Sequence, residues 1–582
     1  MKQITFIYAA LARMLAGCKR KAIPDPTVRT GVPPVPLGLA LLLLLTPGAD
    51  AASLTRKVDR LFTLSAGKDG PGCAVAVVRD GKTVYQRGFG TANLEYGTHI
   101  RPDTPFHIAS VSKQFTAFAV HLLAAEGKLS LDEDVHKYLP ELHDFGKRIT
   151  VRHLLHHTSG LRDQWDLLSL AGWRYEDVIT EDDILSLVWR QRELNFEPGT
   201  EQVYSNTGYT LLGLVVKRVS GQSLREFCHE RIFRPLRMEH THFHDDHREV
   251  VPGRAYSYFP EPDGGFRHAP LQYANVGATS LFTTAEDLAR WSANLDSGKV
   301  GGPALVSAML KKGRLQNGEE TPYASGLVHG EHRGLKTVSH DGADAGFRSM
   351  FLRFPDERLT VVVLTNLGSF DPVHKAYQVA DLYLEGRLTP APSPPPIPTS
   401  SGVEVKPELL DTYTGEFRFP PFLRSFERSG DALMVKEDGH LRRLLPISET
   451  KFLVEGTNAS FTFIRDPAGG VSEVEFDWGF GSFKGQRFTR RVLTPEELAG
   501  YVGDYYSAEL NVLYSLKARD GMLVMCHPRG EMPLKPLQGE EFEGDFAVRF
   551  TRGRDARVNG FVLDTGRARN LRFMRAVVRP LP

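Results

Sequence analysis

Ser110-Val111-Ser112-Lys113 sets a hydroxyl and an ammonium three residues apart. On a helix that spacing puts both side chains on one face, where the cation favours loss of the serine proton and leaves an activated nucleophile. A bare Ser-x-x-Lys string is common at exposed helix starts, so its surroundings carry the weight. Phe106-His107-Ile108-Ala109 precedes it, and Phe115, Phe118, Val120 and Leu122 follow at spacings that bury a helix, which would hold the pair on a fixed support. Tyr204-Ser205-Asn206 lies in a polar stretch between Pro198-Gly199 and an apolar helix starting near Tyr209. A lysine cation stabilises a neighbouring phenolate, which makes Tyr204 a candidate base; Asn206 can donate to a substrate amide and tie Lys113 in place. His340-Asp341-Gly342, trailed by Gly346, Phe347 and Arg348, ends on a glycine that would let a substrate backbone lie against a strand edge.

Residues 72–90 read as a hairpin around an Asp80-Gly81 turn and start an antiparallel sheet. Helical periodicity covers residues 110–125, 181–190, 208–219 and 285–295, and strand character returns over 351–364. That order predicts α/β layers with an inserted helical lobe.

With these elements behind them, the three motifs resemble the serine β-lactamase and penicillin-binding-protein superfamily, whose S-x-x-K, S-D-N and K-T-G elements occur in this order. The Tyr-x-Asn form looks like the class C branch, and the resemblance covers residues 54–386. Ile149-Thr150-Val151-Arg152-His153-Leu154-Leu155-His156-His157-Thr158-Ser159-Gly160-Leu161, Gly277-Ala278-Thr279-Ser280 and Ala285-Glu286-Asp287-Leu288 are similar as well. The resemblance implies an α/β (α+β) β-lactamase/penicillin-binding-protein-like catalytic domain. In it Ser110 is the nucleophile, Lys113 its activator, Tyr204 base and then acid, and Asn206 the orienter, and the oxyanion sits between the backbone N–H groups of Ser110 and Ala343. His340 departs from the pattern, because penicillin-recognising members usually carry a lysine there that attracts a carboxylate. Arg348 is the candidate replacement cation. HxG-type third motifs point to D-aminopeptidases and esterases, and a D-aminopeptidase is also similar in carrying two C-terminal barrels. The implied reaction is acyl transfer to water from a D-amino-acid peptide, amide or small ester, without metal or organic cofactor. The competing activities are β-lactamase or D,D-carboxypeptidase. A reading of another class is a sensor of cell-wall fragments in which Ser110 acylates without turnover; the intact Tyr204 argues against it.

Lys plus Arg (71) and Asp plus Glu (70) nearly cancel in the 582 residues, which argues against a nucleic-acid partner. The four cysteines, Cys18, Cys73, Cys228 and Cys526, form no metal spacing or disulfide framework. His240, His242, His244, Asp245, Asp246 and His247 fit a solvated loop, and no metal site is expected there. Residues 1–51 read as an export segment: leucine-rich residues 37–45 follow a basic stretch and precede Ala49-Asp50-Ala51, a small-x-small cleavage pattern. Leu15-Ala16-Gly17-Cys18 is a rival lipoprotein box that would anchor Cys18 to a membrane. The catalytic domain is assigned residues 52–387 and a Pro-rich linker 388–402. Two similar modules then follow, 403–492 and 493–582: Leu410, Tyr413, Gly415 and Phe417 match Leu498, Tyr501, Gly503 and Tyr505 at an offset of 88. Short amphipathic strands make each a small all-β barrel, read as a lid, spacer or partner-binding unit. No motif specifies an oligomeric state.

Overall fold

The computed structural model of the chain describes residues 47–66, 69–390, 403–419, 422–437, 440–457, 459–467, 469–477 and 482–576. Cys18, most of the expected export segment and most of the Pro-rich linker lie outside the described residues. Among the described residues no helix is long and apolar enough to cross a membrane.

Six antiparallel strands form the central sheet. They are β1 (Cys73–Arg79), β2 (Lys82–Phe89), β3 (Val328–His332), β4 (Leu335–Asp344), β5 (Phe347–Phe354) and β6 (Leu359–Thr365), in the spatial order β3-β4-β5-β6-β1-β2. The β1–β2 turn forms where expected, because Asp80 and Gly81 both adopt positive φ (53° and 73°), the twist that suits a two-residue hairpin. β1 is buried on both faces rather than one. Cys73, Val75 and Val77 pack under two helices, α1 (Pro47–Ala66) through Val58 and Phe62 and a late helix, Pro372–Tyr383, through Ala376 and Val379. Ala74, Ala76 and Val78 point the other way, into a core shared with the helical lobe. Period-2 alternation with apolar residues at every position is what a sheet covered on both sides requires.

In the lobe, α2 (Lys113–Ala125) is buried from Lys113 to Leu123, so it runs through the core and not along its surface. α3 (Asn206–Ser220) packs against it, starting two residues earlier than its periodicity implied and ending at Gly221 in the left-handed conformation.

The two repeats each form a closed eight-stranded barrel, from Gly415–Phe419 to Ser482–Phe488 and from Gly503–Ser507 to Leu571–Arg575. A short helix leads into each, Pro407–Tyr413 and Pro495–Tyr501, and buries the matching Leu and Tyr of the repeat, Tyr413 against Phe452 and Phe463 and Tyr501 against Phe542 and Phe550. Closure removes the exposed edges that short strands would otherwise present.

Candidate active site

Ser110 stands on a single 3₁₀ turn, Ala109–Ser112, that feeds directly into α2. The residue before it, Ala109, is held at φ 47°, a left-handed conformation that costs energy without glycine. His157, Ser280 and Ala345 are also left-handed (φ 59°, 67° and 46°), so four of the twelve left-handed non-glycine residues among the described residues lie in segments that bound this site. Such strain persists only where surrounding packing over-determines the backbone.

Ser110 opens at the floor of a cleft of about 640 Å³, lined also by Tyr204, Asn206, His340, Gly342, Ala343 and Arg348. Three stretches of chain, 110–113, 204–206 and 340–348, therefore bring the candidate site residues to one place, with Lys113 buried just beneath. Lys113 Nζ donates to Ser110 Oγ at 3.0 Å, to Asn206 Oδ1 at 2.8 Å and to the Ala278 carbonyl at 2.7 Å. Three acceptors use all three ammonium protons and leave the serine hydroxyl free to aim its own proton elsewhere. Burial pulls the lysine down to about 7, against the opposing carboxylates of Asp344 and Asp163; the Arg567 guanidinium adds to the lowering.

Tyr204 packs against His157 with ring centroids 4.3 Å apart and planes tilted by 38°, and Lys113 Nζ lies 4.9 Å from the Tyr204 ring centroid. Its hydroxyl is enclosed and forms no well-aligned hydrogen bond, although the Ser110 hydroxyl is near enough to oppose part of its pKa shift. Burial holds the phenol well above its ordinary range. The phenolate expected from the lysine neighbour is thus the disfavoured form, because loss of solvent outweighs a cation whose own charge is compromised by burial.

Asn206 also differs from the expected donor. Its Nδ2 donates to Asp163 Oδ2 at 2.8 Å and its backbone N–H to the same oxygen at 2.6 Å, so the amide is committed to the protein and orients Lys113. His340 has both nitrogens engaged. Nδ1 lies 2.6 Å from the Asp341 carbonyl, which can only accept, so Nδ1 carries the proton and Nε2 accepts from the Tyr323 hydroxyl at 3.1 Å. Burial, with Lys113 second, lowers its pKa to about 4 and keeps it neutral. It holds Tyr323 in place and has no proton to offer the cleft. Gly342 is required by packing: a Cβ there would meet the Ile108 carbonyl oxygen and Ser349 Oγ, both at 2.5 Å. Arg348 borders the cleft with Nη1 donating to the carbonyls of Ala345 (2.9 Å) and Phe347 (2.7 Å).

Three charged residues of the site carried no motif signal. Asp163, behind Asn206, caps the helix Gln164–Leu170 through the Trp165 N–H. Asp344 ends β4 inside the cleft. Arg567 comes from the second barrel: the turn after strand Val558–Asp564 reaches the cleft, where the Arg567 carbonyl accepts from Asp163 N–H at 3.0 Å and its guanidinium lies 3.4 Å from Asp163 and 3.1 Å from Asp166. A polar chain therefore runs from Ser110 through Lys113, Asn206 and Asp163 to the C-terminal module.

Away from the cleft, His242, His244 and Glu249 bring potential ligand atoms within 4.8 Å of one another. His244 is buried, which a solvated loop would not do. Arg225 takes both Glu249 oxygens, at 2.5 and 2.7 Å, so the carboxylate is already paired with a cation.

A serine hydrogen-bonded to a buried lysine, on a turn that packs against an antiparallel sheet and leads into a core helix, defines the class of site. The chain belongs to the Beta-lactamase family, whose profile matches residues 58–384. It is similar to the D-aminopeptidase of Gluconobacter oxydans (strain 621H), 30% identical over 352 residues that make up 60% of this chain and 65% of that protein. It is also similar to the D-aminopeptidase of Brucella anthropi, 31% identical over 318 residues, 53% of this chain and 59% of that one. The chain spans about three fifths of the length of these relatives. Among solved structures it shares its fold with the octameric penicillin-binding protein homologue from Pyrococcus abyssi, 24% identical with a TM-score of 0.51, across 75% of this chain and 100% of that one.

Proposed function

We propose that the protein is an exported serine hydrolase that cleaves D-amino-acid amides and short D-peptides, with small esters as secondary substrates, through an acyl-Ser110 intermediate. The observation that carries the reading is the Ser110 Oγ to Lys113 Nζ contact of 3.0 Å at the floor of an open cleft. With its pKa pulled down, a substantial fraction of Lys113 is neutral near pH 7 and can take the Ser110 proton as Oγ bonds to the acyl carbon. The carbonyl oxygen becomes an oxyanion facing the backbone N–H groups of Ser110 and Ala343. Tyr204, kept protonated by burial, donates its hydroxyl proton to the departing amine and recovers one from Lys113. Water then attacks the ester, its proton returning by the same route, and Ser110 is regenerated. The likeness to D-aminopeptidases supports a D-configured acyl residue. Neutral His340 speaks against strong recognition of a β-lactam carboxylate. Export rests on residues 37–51, and the substrates fit small fragments of cell-wall type.

Purified protein from Ala52 onward, tested on D- and L-alanine p-nitroanilide, p-nitrophenyl acetate and butyrate, a D-alanyl-D-alanine peptide and nitrocefin, should turn over D-alanine p-nitroanilide best and nitrocefin worst. Ser110→Ala should cost on the order of a thousandfold or more. Activity that survives Ser110→Ala, or an L-alanine preference, would overturn the reading.

A further inference from the structure

Asp344 is a carboxylate inside the cleft with no lysine or arginine paired to it among the described residues. Its side chain is 14% exposed. The Thr279 hydroxyl donates to it, a neutral contact that leaves its charge uncompensated. His107 Nδ1 lies 3.9 Å away but accepts the Ala109 N–H at 3.2 Å, so that nitrogen carries no proton and offers no charge. Arg348 acts on Asp344 through space while its Nη1 is spent on two carbonyls, and Lys113 is spent on Ser110, Asn206 and Ala278. A nearly buried carboxylate that faces a cavity without a bonded cation is costly unless a ligand supplies one. Two aromatic rings border the same cleft, Trp165 and Tyr273, with centroids 4.9 Å apart; burial raises the Tyr273 phenol pKa, and the nearby Asp344 carboxylate adds to the rise. Ring faces beside a carboxylate attract an ammonium and disfavour an anion.

We propose that Asp344, flanked by Tyr273 and Trp165, is the subsite for the primary ammonium of the bound substrate. Asp344 directly follows Ala343, the expected oxyanion donor, and lines the same cleft as Ser110, so an ammonium it holds sits beside the group that Ser110 attacks, where a free α-amino group on the acyl residue would be. The assignment of that ammonium to the acyl residue rests on the Ser110 hydrolase reading; the presence of a cation subsite does not.

The test separates the two. Calorimetric binding of D-alaninamide and of propanamide, its deaminated isostere, is measured on the full chain carrying Ser110→Ala. D-alaninamide should bind on the order of tenfold tighter, and adding Asp344→Asn should collapse that ratio to about one, with partial recovery in Asp344→Glu. Thermal melting of each variant and its propanamide affinity report whether the fold and cleft survive. Equal affinity for the two amides with Asp344 intact, including no measurable binding of either at millimolar concentration, overturns the proposal, as does a ratio that survives Asp344→Asn. Failure of unmodified protein to cleave D-alanine p-nitroanilide would instead sink the hydrolase reading, leaving the binding ratio to decide the subsite.

Discussion

The two C-terminal barrels share strand number, an entry helix and a repeated Leu-Tyr-Gly pattern, yet they stand in different relations to the site. The first barrel keeps a core of its own, built on Tyr413, Phe417, Phe426, Phe461 and Phe463. The core of the second, including Tyr505, Tyr514 and Phe573, is continuous with that of the helical lobe. Its docking is both apolar and polar. Tyr514 donates to the Leu170 carbonyl at 2.7 Å, and the fully buried Arg162 reaches into the barrel to pair with Glu509 and to donate to the carbonyls of Arg569 (2.8 Å) and Asn570 (3.0 Å). The first barrel is joined to the second by Arg418 with Glu541 and by Arg490 with Glu543, pairs that are partly open to solvent. Duplication thus supplied two copies of one scaffold, and only the copy with a polar turn at the cleft became part of the site's wall.

The sharpest way to break this contrast is Arg162→Ala. It strands the Glu509 carboxylate in a contact where its side chain is 10% exposed, and removes two donors to the docking turn. Loss of one partner of a buried ion pair costs about 3–5 kcal/mol. Denaturant unfolding should show a fall of that size, with activity lost before the first barrel melts. A change of under about 1 kcal/mol would mean that the second barrel is tethered and not integrated.

Arg567→Ala probes the electrical side of the same junction. The Arg567 cation disfavours the ammonium form of Lys113, so removing it lets Lys113 hold its proton to higher pH. Activity that depends on neutral Lys113 rises as pH passes the lysine pKa, so the acid limb of kcat/KM should move up by roughly half a unit to one unit. At pH 7, with Lys113 starting near 7, that is a loss of about two- to fivefold. Arg567→Lys should restore the limb even where it does not restore the full rate. An unmoved limb would reduce Arg567 to a packing residue.

The meeting of Ser110 with Lys113 was legible because their relation is local: an i, i+3 spacing at the head of an apolar helix fixes which side chains meet. Asn206 and Tyr204 were legible as a motif, but their protonation and hydrogen bonding were not. Whether Tyr204 titrates depends on how much water reaches its hydroxyl, and whether Asn206 can serve a substrate depends on Asp163, whose side chain is aimed by a different turn. The repeat was visible in Leu410 and Leu498, Tyr413 and Tyr501, and so were the strand-rich modules. The identity of the docked copy was not, since Arg162 and Glu509 lie 347 residues apart in the chain and neither has a periodic pattern that names the other. Arg567 lay in a module read as an accessory, and it reaches the cleft only because two independently closed surfaces fit.

The junction between the two barrels should yield the smallest effects. Arg490 bridges Glu416 and Glu543 with a side chain 22% exposed, and Arg490→Ala leaves two carboxylates facing one another, a cost of about 1 kcal/mol in the partly screened range. Arg418 and Glu541 are more open, 47% and 39% exposed, and side-chain entropy offsets most of their attraction, so Arg418→Ala should change unfolding free energy by no more than about 0.5 kcal/mol. Neither charge enters the field at Lys113, and kcat/KM for D-alanine p-nitroanilide should keep its pH profile in both variants. A shifted acid limb in Arg418→Ala would mean that strain at the inter-barrel joint is carried through the second barrel to the Arg567 turn, and the first barrel would then belong to the site's machinery after all.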